Sequence, residues 1–206
     1  MIAVVDYGLG NVSAFANIYR RLGISVMLAR NAADLRHASH LILPGVGAFD
    51  WAMKRLNDSG MRGALDELVL HQRRPVLGVC VGMQMMGSSS EEGAAPGLGW
   101  VAAKVRRINE AHLQSITHLP HMGWNDVEAG RTKSLFAELG NDPRFYFLHS
   151  YYVDPEDCNQ VLAWSFYGVR FACAIQRGNI LGVQFHPEKS HSWGVQLLKN
   201  FASCEP

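Results

Sequence analysis

The sequence predicts an α/β fold with a mostly parallel central sheet, helices on both faces of that sheet, and an antiparallel extension. Short apolar runs at residues 2–5, 41–43 and 76–79 have the composition of strands that are buried on both faces. Helical patterns follow these runs, which is the order expected of a parallel sheet covered by helices. Segments rich in aromatic residues near the carboxyl end, separated by turn residues, predict antiparallel strands.

Length and charge limit the kinds of protein that this chain can be. A chain of 206 residues fits one large domain, which we place at residues 1–206, and a hydrophobic content of 48% is enough for a sizeable core. The net charge is +1, and Lys and Arg form no run longer than a pair. A surface for nucleic acid is therefore not expected.

Membrane and disulfide signals are also weak. No stretch reaches the roughly 18 apolar residues of a membrane span, and the first residues lack the basic start of a signal peptide. The four cysteines are widely spaced, which predicts neither a disulfide framework nor a zinc site. We therefore expect a cytoplasmic protein.

The first strand is followed by a turn that contains Gly8 and Gly10. Apolar positions at helical spacing between Val12 and Leu22 then predict a helix. Two glycines in this turn suggest a dinucleotide-binding site, but the third glycine of that pattern is replaced by Ser13. The acidic residue expected about 20 positions later is also missing, so an ordinary turn is the favoured interpretation.

The loop at residues 44–49 follows the third strand and carries a proline and two glycines. The elements around it are a strand at 24–28, a short helix at 34–38, a strand at 41–43 and a helical stretch at 49–73 that breaks near Gly60. Such a loop at the carboxyl end of a parallel strand leaves backbone N–H groups free to face a ligand. An ordinary Pro-Gly turn is the alternative.

The stretch at residues 75–84 contains the main chemical signal. The apolar run at 76–79 leads into Gly78-Val79-Cys80-Val81-Gly82, the Gly-x-nucleophile-x-Gly pattern of a sharp strand-to-helix turn. The positive end of the following helix favours a thiolate at Cys80. Gln84 lies one helical turn further on the same face, so its side chain is expected to reach a substrate held over the sulfur. A buried structural cysteine is the alternative interpretation.

The second half of the chain predicts mainly strands. The predicted elements are a loop at 88–99, an antiparallel strand at 100–108, a loop at 109–119, a strand at 144–152, a hairpin of 161–166 and 171–176 that turns at Tyr167–Gly168, a last strand that delivers His186, and a final helix. Residues 120–125 show no clear periodicity. Trp124 in that segment is either an exposed aromatic that anchors a partner or a buried core residue.

A thiol nucleophile needs a base, and the base needs an acceptor that orients it. His186 stands at a predicted strand end, and Glu188 follows two residues later, where its carboxylate can turn back to the imidazole. His149 is a competing base, but no acidic residue stands beside it in sequence. The sequence therefore predicts a trio of Cys80, His186 and Glu188.

Two backbone N–H groups are expected to stabilise the oxyanion of the reaction. One belongs to Val81, which follows the nucleophile, and the second comes from the loop at Val46 and Gly47. Each donor of this kind contributes roughly 3–4 kcal/mol of transition-state stabilisation.

These motifs together resemble those of the class I (triad) glutamine amidotransferases, which have a flavodoxin-like fold. Within this family the chain is similar to the glutaminase subunits of imidazole glycerol phosphate synthases. The matching segments extend over nearly the whole chain and begin at residues 6, 44, 78, 120, 149 and 184. The Cys turn and His186-Pro187-Glu188 are typical of the family, and the segments at 44–49 and 120–125 are typical of the narrower group.

The resemblance implies a reaction and a set of roles. Cys80 would attack the side-chain amide of glutamine, His186 would transfer protons and Glu188 would orient the imidazole. The implied glutamine-binding residues are Gly47, Gln84, Ser150 and Tyr151. No metal or organic cofactor is implied.

The resemblance also implies a partner. Ammonia would pass through a channel into a separate (β/α)8 synthase subunit, and the two chains would form a heterodimer. Asn11 and Trp124 match positions expected near that interface. Activity of the glutaminase would depend on the partner and its substrate.

One position departs from the pattern of the narrower group. His118 stands where a Lys is often found, two residues before Pro120. The trio is unaffected, but the identity of the partner stays open, since related subunits serve synthases that amidate sugars for surface polysaccharides. Two further hypotheses are a non-catalytic flavodoxin-like interaction or chaperone module and a cysteine hydrolase that works without a partner.

Overall fold

The first half of the chain builds the parallel part of the sheet. The computed structural model describes residues 1–113, 118–129 and 135–205. The elements of this half are β1 (Ile2–Val5), α1 (Val12–Arg21), β2 (Val26–Ala29), α2 (Ala32–Leu35), β3 (His40–Gly45), α3 (Phe49–Asp58), α4 (Arg62–Asp66), β4 (Val76–Cys80) and α5 (Val81–Met85). A π-helical turn at Glu67–His71 continues α4.

The second half is mostly strand. Its elements are β5 (Ser89–Ser90), β6 (Ala103–Arg107), β7 (His121–Asp126), β8 (Glu128–Ala129), β9 (Arg144–His149), β10 (Tyr151–Pro155), β11 (Val161–Tyr167), β12 (Val169–Arg177), β13 (Ile180–Val183) and α6 (His191–Ala202). Short 3-10 helices occupy Glu110–His112, Cys158–Gln160 and Pro187–Lys189.

The strands of the large sheet follow the order β2-β1-β3-β4-β13-β12-β10-β6-β5, and β11 and β8 extend it beside β12. The first five strands in this order pair in parallel, and β13 then pairs antiparallel with β12. Gly45 lies opposite Cys80, and Val79 lies opposite Val183. The carboxyl ends of β3, β4 and β13 therefore lie side by side at one edge of the sheet.

The central strands are buried because both faces of the sheet are covered. Every residue of β1, β4 and β13 is buried. Helix α1 buries Phe15 and Tyr19, which are four residues apart and therefore share one face. These observations confirm the α/β prediction with a parallel centre and an antiparallel extension.

Several predicted boundaries move by a few residues. The strand predicted at 24–28 is β2 at Val26–Ala29, the helix predicted at 34–38 is α2 at Ala32–Leu35, and the strand predicted at 100–108 is limited to β6 at Ala103–Arg107. The helix break near Gly60 and the turn at Gly168 are confirmed, and both glycines have positive φ, +70° and +71°. Parts of the loop predicted at 109–119 lie outside the described residues.

The segment at 120–125 is the main element that the sequence did not predict. It forms β7, which pairs with β9 in a separate two-stranded sheet. Its polar residue His121 is buried, whereas Met122 is 65% exposed. In most strands with one buried face, apolar side chains point inward and polar side chains point outward. In β7 this order is reversed, so the hydrophobic pattern of the sequence does not indicate a strand.

The aromatic segment at 144–152 was predicted as one strand, and that prediction is wrong. The chain bends at Ser150, so β9 lies in the small sheet with β7 while β10 pairs with β6 and β12 in the large sheet. Composition alone does not distinguish a continuous strand from one that changes sheets, because both halves have similar residues. This change of sheet places Ser150 and Tyr151 where the chain passes from the small sheet to the large one.

Candidate active site

Cys80 lies at a strained turn between β4 and α5. Its φ is +55° and its ψ is −115°, a conformation that costs a non-glycine residue of the order of 1–3 kcal/mol. A Cβ on Gly82 would collide with the Leu43 carbonyl, and a Cβ on Gly78 would lie 2.8 Å from the Gly82 carbonyl oxygen. Both flanking glycines are therefore required by close backbone packing, as the Gly-x-Cys-x-Gly pattern predicted.

The Cys80 sulfur is buried and has two polar neighbours besides the imidazole. Sγ donates to the Leu148 carbonyl at 3.8 Å, and Gln184 Nε2 donates to Sγ at 3.7 Å. Gln184 is completely buried, so its amide is held against the sulfur. Gln184 was not among the predicted site residues, although it lies two residues before the predicted base.

His186 reaches the site through a short connection after β13, which ends at Val183 and not at the histidine as predicted. Its backbone N–H donates to the Tyr146 carbonyl at 2.9 Å, and Ser190 Oγ donates to its carbonyl at 2.6 Å. These contacts fix the backbone on both sides of the residue. The imidazole is therefore held in place although it does not belong to a strand.

The carboxylate of Glu188 turns back to the imidazole as predicted. Its Oε1 lies 2.9 Å from His186 Nδ1, and the two side chains are only 3% and 4% exposed. The second oxygen, Oε2, is buried and has no hydrogen-bond partner among the described residues. The imidazole is thus the main partner of this carboxylate, and Nε2 is the ring nitrogen that remains for Cys80.

The site favours a protonated His186. Burial opposes the charged form, but a side-chain hydrogen bond with Cys80, the Glu188 carboxylate and the charges of both raise the pKa of His186 to about 10. At neutral pH the imidazole therefore carries a proton beside the sulfur. Such a group can give a proton to a leaving amine.

His149, the competing base, has the opposite electrostatic environment. Burial and the nearby His121 and His186 lower the pKa of His149 to about 3, although a hydrogen bond to the Tyr151 carbonyl opposes this shift. Both of its ring nitrogens have partners, namely the Tyr151 carbonyl and His121. This arrangement favours His186 over His149 as the base.

A cavity of about 260 Å³ opens beside the sulfur. Its volume is near the lower end for ligand pockets and suits a ligand of amino-acid size. The residues that line it are Val46, Gly47, Cys80, Val81, Gln84, Glu92, Pro120, Leu148, His149, Ser150, Tyr151, His186 and Lys189. The structure thus brings together the predicted nucleophile, base, oxyanion-hole and glutamine-binding residues.

The loop after β3 faces this cavity from the side of the predicted oxyanion donors. Gly47 has a φ of +82°, and the space where its Cβ would lie is open. The Tyr7 hydroxyl donates to the Pro44 carbonyl at 2.7 Å and so fixes the start of the loop. Val81 is the first residue of α5, so its N–H needs no partner within the helix.

Gln84 is placed at the cavity, but part of its amide is already used. Its Nε2 donates to the Tyr151 carbonyl and to Gln184 Oε1, both at 3.1 Å. The oxygen is the part of the amide that these two contacts leave free to face a ligand.

The two predicted interface residues lie away from the cavity lining. Asn11 is exposed at the start of α1, on the loop after β1. Trp124 is 37% exposed and stacks on His191 with ring centroids 5.2 Å apart and an interplanar angle of 4°. Trp124 is thus neither a fully exposed anchor nor a buried core residue, because His191 covers one face of the ring and part of the ring is exposed.

The described part of the chain holds neither a metal cluster nor a membrane span. Within residues 1–113, 118–129 and 135–205, no group of three or more His, Cys, Asp or Glu side chains is arranged to hold a metal ion. Across the same ranges, no helix combines the length and the hydropathy needed to cross a bilayer.

The fold and the comparison with known proteins define the class of this protein. The family model described as glutamine amidotransferase class-I matches residues 3–203. A solved structure described as a glutamine amidotransferase shares the fold, with a TM-score of 0.74 at 20% identity, covering 98% of this chain and 99% of that chain. The chain belongs to the class-I glutamine amidotransferase family.

Relatives of higher identity narrow the comparison. The chain is 55% identical to a Bdellovibrio bacteriovorus protein named imidazole glycerol phosphate synthase subunit HisH, and the match covers 98% of this chain and 99% of that protein. A Leptospira interrogans protein of the same name is 49% identical, with 98% and 100% covered. The resemblance predicted from the motifs is confirmed.

Proposed function

We propose that this protein is a glutaminase subunit of an imidazole glycerol phosphate synthase. It hydrolyses L-glutamine to glutamate and ammonia, and the ammonia is used by a (β/α)8 cyclase subunit that makes imidazole glycerol phosphate and AICAR in histidine biosynthesis. The observation that carries this proposal is the cavity where Cys80 meets the buried pair of His186 and Glu188. Full-length relatives at 55% and 49% identity support the choice of pathway.

The proposed reaction starts at the sulfur. The Cys80 thiolate attacks the side-chain carbonyl carbon of glutamine, and the protonated His186 gives its proton to the departing ammonia. A γ-glutamyl thioester remains on the sulfur. His186, now neutral, takes a proton from water as that water attacks the thioester, which releases glutamate and restores the thiolate and imidazolium.

The negative oxygen of each tetrahedral intermediate needs donors. The N–H of Val81 and an N–H from Val46 or Gly47 are the proposed donors, because all three residues line the cavity beside the sulfur. Loss of one such donor costs about 3–4 kcal/mol of transition-state stabilisation.

The cavity also offers groups for the charged end of the substrate. Besides the two histidines, its charged side chains are the acidic Glu92 and the basic Lys189. They are suited to the ammonium and the carboxylate of a free amino acid. Gln84, Ser150 and Tyr151 are the proposed contacts for the rest of the glutamine.

The partner is proposed to bind on the exposed face of β7, the strand that directly follows Pro120 of the cavity lining. Met122 and Trp124 lie on the same face of β7, and they are 65% and 37% exposed. Aromatic and Met side chains are enriched at the centres of protein interfaces. Asn11 is the second proposed contact, and we place the heterodimer and its ammonia channel in the cytoplasm.

A second candidate function rests on His118. This residue replaces a Lys in the pattern of the narrower group, and its carbonyl accepts a hydrogen bond from Tyr167 at 2.7 Å. A subunit that supplies ammonia to a sugar-amidating synthase is therefore the alternative. A non-catalytic module is disfavoured by the intact trio.

One experiment tests the proposal. The full chain is assayed for glutamate release alone, with the histidine-pathway cyclase of its host and that enzyme's substrate, and with a sugar-amidating synthase if the host has one. We expect weak hydrolysis alone, a large rise with the cyclase, and no activity for Cys80→Ser. Full activity without a partner would support a free hydrolase, and stimulation by the sugar-amidating synthase alone would support the alternative.

A further inference from the structure

A continuous chain of hydrogen bonds crosses the small sheet towards the cavity. Asn125 Nδ2 lies 3.2 Å from His121 Nε2, and His121 Nδ1 lies 3.0 Å from His149 Nε2. His149 Nδ1 lies 2.9 Å from the Tyr151 carbonyl oxygen. That oxygen also accepts from Gln84 Nε2 at 3.1 Å. The chain therefore ends on the backbone of the cavity wall.

These contacts define one tautomer for each ring. The Tyr151 carbonyl can only accept, so His149 carries its proton on Nδ1 and its Nε2 accepts from His121 Nδ1–H. The remaining nitrogen of His121 then accepts from the Asn125 amide. Burial lowers the pKa of His121 to about 4, and that of His149 is lowered to about 3, so both rings are neutral at physiological pH.

The first ring of the chain is clamped between aromatic faces. His121 stacks on Phe147 and on Tyr167, with interplanar angles of 19° in both cases and centroid distances of 4.8 Å and 4.0 Å. Its N–H is therefore aimed in a fixed direction. Burying two imidazoles is costly unless every polar atom is paired, and this chain pairs all four ring nitrogens.

The Tyr151 carbonyl, where the chain of hydrogen bonds ends, lies just after the bend at Ser150. At this bend the backbone passes from the small sheet to the large one. On one side the pairing with β6 continues through the bend, since the Ile108 N–H donates to the Ser150 carbonyl at 3.0 Å and Tyr151 lies opposite Arg107. On the other side the pairing with β12 starts only at Val153, so side chains must satisfy the Tyr151 carbonyl there. We propose that His121 and His149 are positioning residues that hold the Tyr151 carbonyl and, with it, the Ser150–Tyr151 wall of the glutamine cavity. This inference rests on the proposed glutaminase function and adds two residues that act through the backbone, of which His149 also lines the cavity.

A matched pair of substitutions tests the role of His149. In His149→Asn the side-chain amide nitrogen takes the place of Nδ1, so the donor to Tyr151 is kept. In His149→Gln the amide replaces the far end of the ring, so that donor is lost. We expect His149→Gln to raise KM for glutamine about tenfold with a much smaller change in kcat, and His149→Asn to restore KM to within about threefold of the wild type.

A substitution in the first ring tests the clamp. His121→Phe keeps an aromatic ring between Phe147 and Tyr167, but it removes the Nδ1–H that donates a hydrogen bond to His149. A smaller rise in KM is expected than for His149→Gln. His40 serves as the control, because it begins β3 and its ring lies 2.8 Å from the Cys204 carbonyl oxygen, whereas the cavity lies beyond the carboxyl end of β3. His40→Gln should leave KM unchanged.

Two measurements keep the result interpretable. Glutamine binding by calorimetry in a Cys80→Ser background should weaken about tenfold with His149→Gln. Nitrogen-15 spectra of the wild type should show both histidines as neutral Nδ1–H tautomers, which requires no variant to fold. Equal binding by the Gln and Asn variants, or a proton on Nε2 of His149, would overturn the inference. A wild type that hydrolyses no glutamine with its partner would instead overturn the proposed function, and this inference with it.

Discussion

Glu188→Gln tests how strongly the carboxylate holds the catalytic imidazole. The pair is buried, with Glu188 Oε1 2.9 Å from His186 Nδ1 and side-chain exposures of 3% and 4%. The amide keeps the shape and an acceptor oxygen but removes the charge. A hydrogen bond to a charged partner contributes about 1.5–3 kcal/mol, so kcat/KM should fall roughly 10- to 150-fold.

The same substitution should change the pH profile. His186 must be protonated to release ammonia. Burial opposes this form, but hydrogen bonds with Cys80 and Glu188 and the charges of both raise the pKa of His186 to about 10. Removing the carboxylate lowers that pKa, so the loss of activity on the alkaline side should begin at lower pH in the variant. Glutamate release by the partnered enzyme, measured across this range, gives both quantities.

Glu128→Gln is the matched control for this prediction. Glu128 forms an exposed ion pair with Arg170 at 3.2 Å, and neither residue lines the cavity. Its substitution should leave kcat/KM and the pH profile unchanged. If Glu188→Gln behaves in the same way while its melting temperature equals that of the wild type, the assigned role of Glu188 is wrong.

Three further predictions concern stability and binding. Because His121 and His149 stay neutral when folded, with pKa values lowered to about 4 and about 3, the free energy of unfolding should decrease by up to about 1.4 kcal/mol per histidine per pH unit as the pH falls from about 6.5 towards 4. Urea unfolding at several pH values measures this slope. Gly82→Ala places a Cβ against the Leu43 carbonyl and should cost about 3 kcal/mol or more in the same assay. Trp124→Ala should weaken binding of the cyclase at least about 30-fold, measured by calorimetry, with basal hydrolysis unchanged.

Each of these predictions has a result that contradicts it. A free energy of unfolding that is flat between about pH 6.5 and pH 4 would contradict the buried neutral histidines. A fully stable Gly82→Ala would contradict the close packing of the Cys turn. Partner binding that is unchanged in Trp124→Ala would exclude this surface from the interface.

Much of the fold follows from local signals. The runs at 2–5 and 76–79 are apolar throughout, and only strands covered on both faces need that composition. The turn at Cys80 was predictable because a strand interior gains nothing from glycines on both sides of a cysteine. Glu188 was predictable because Pro187 stands between it and His186. Proline fixes its own φ and cannot donate to a strand ladder, so the segment has few backbone conformations.

Parts of the site that were missed depend on contacts between distant segments. The buried His121 of β7 is stable because it hydrogen-bonds His149. The two histidines are 28 residues apart in sequence, and only the fold brings them together. Gln184 faces the sulfur because β13 lies beside β4. Neither residue carries a local sequence signal of its role, and the change of sheet at Ser150 has none either.

The central claim is that Cys80 carries the γ-glutamyl group. The most direct measurement is peptide mass spectrometry of the partnered enzyme, quenched in acid during turnover of glutamine. We predict a γ-glutamyl adduct on the peptide that contains Cys80 and none on the peptides of Cys158, Cys173 or Cys204. Rapid turnover with an adduct on another cysteine, or with no adduct under conditions where hydrolysis of the thioester limits the rate, would contradict it.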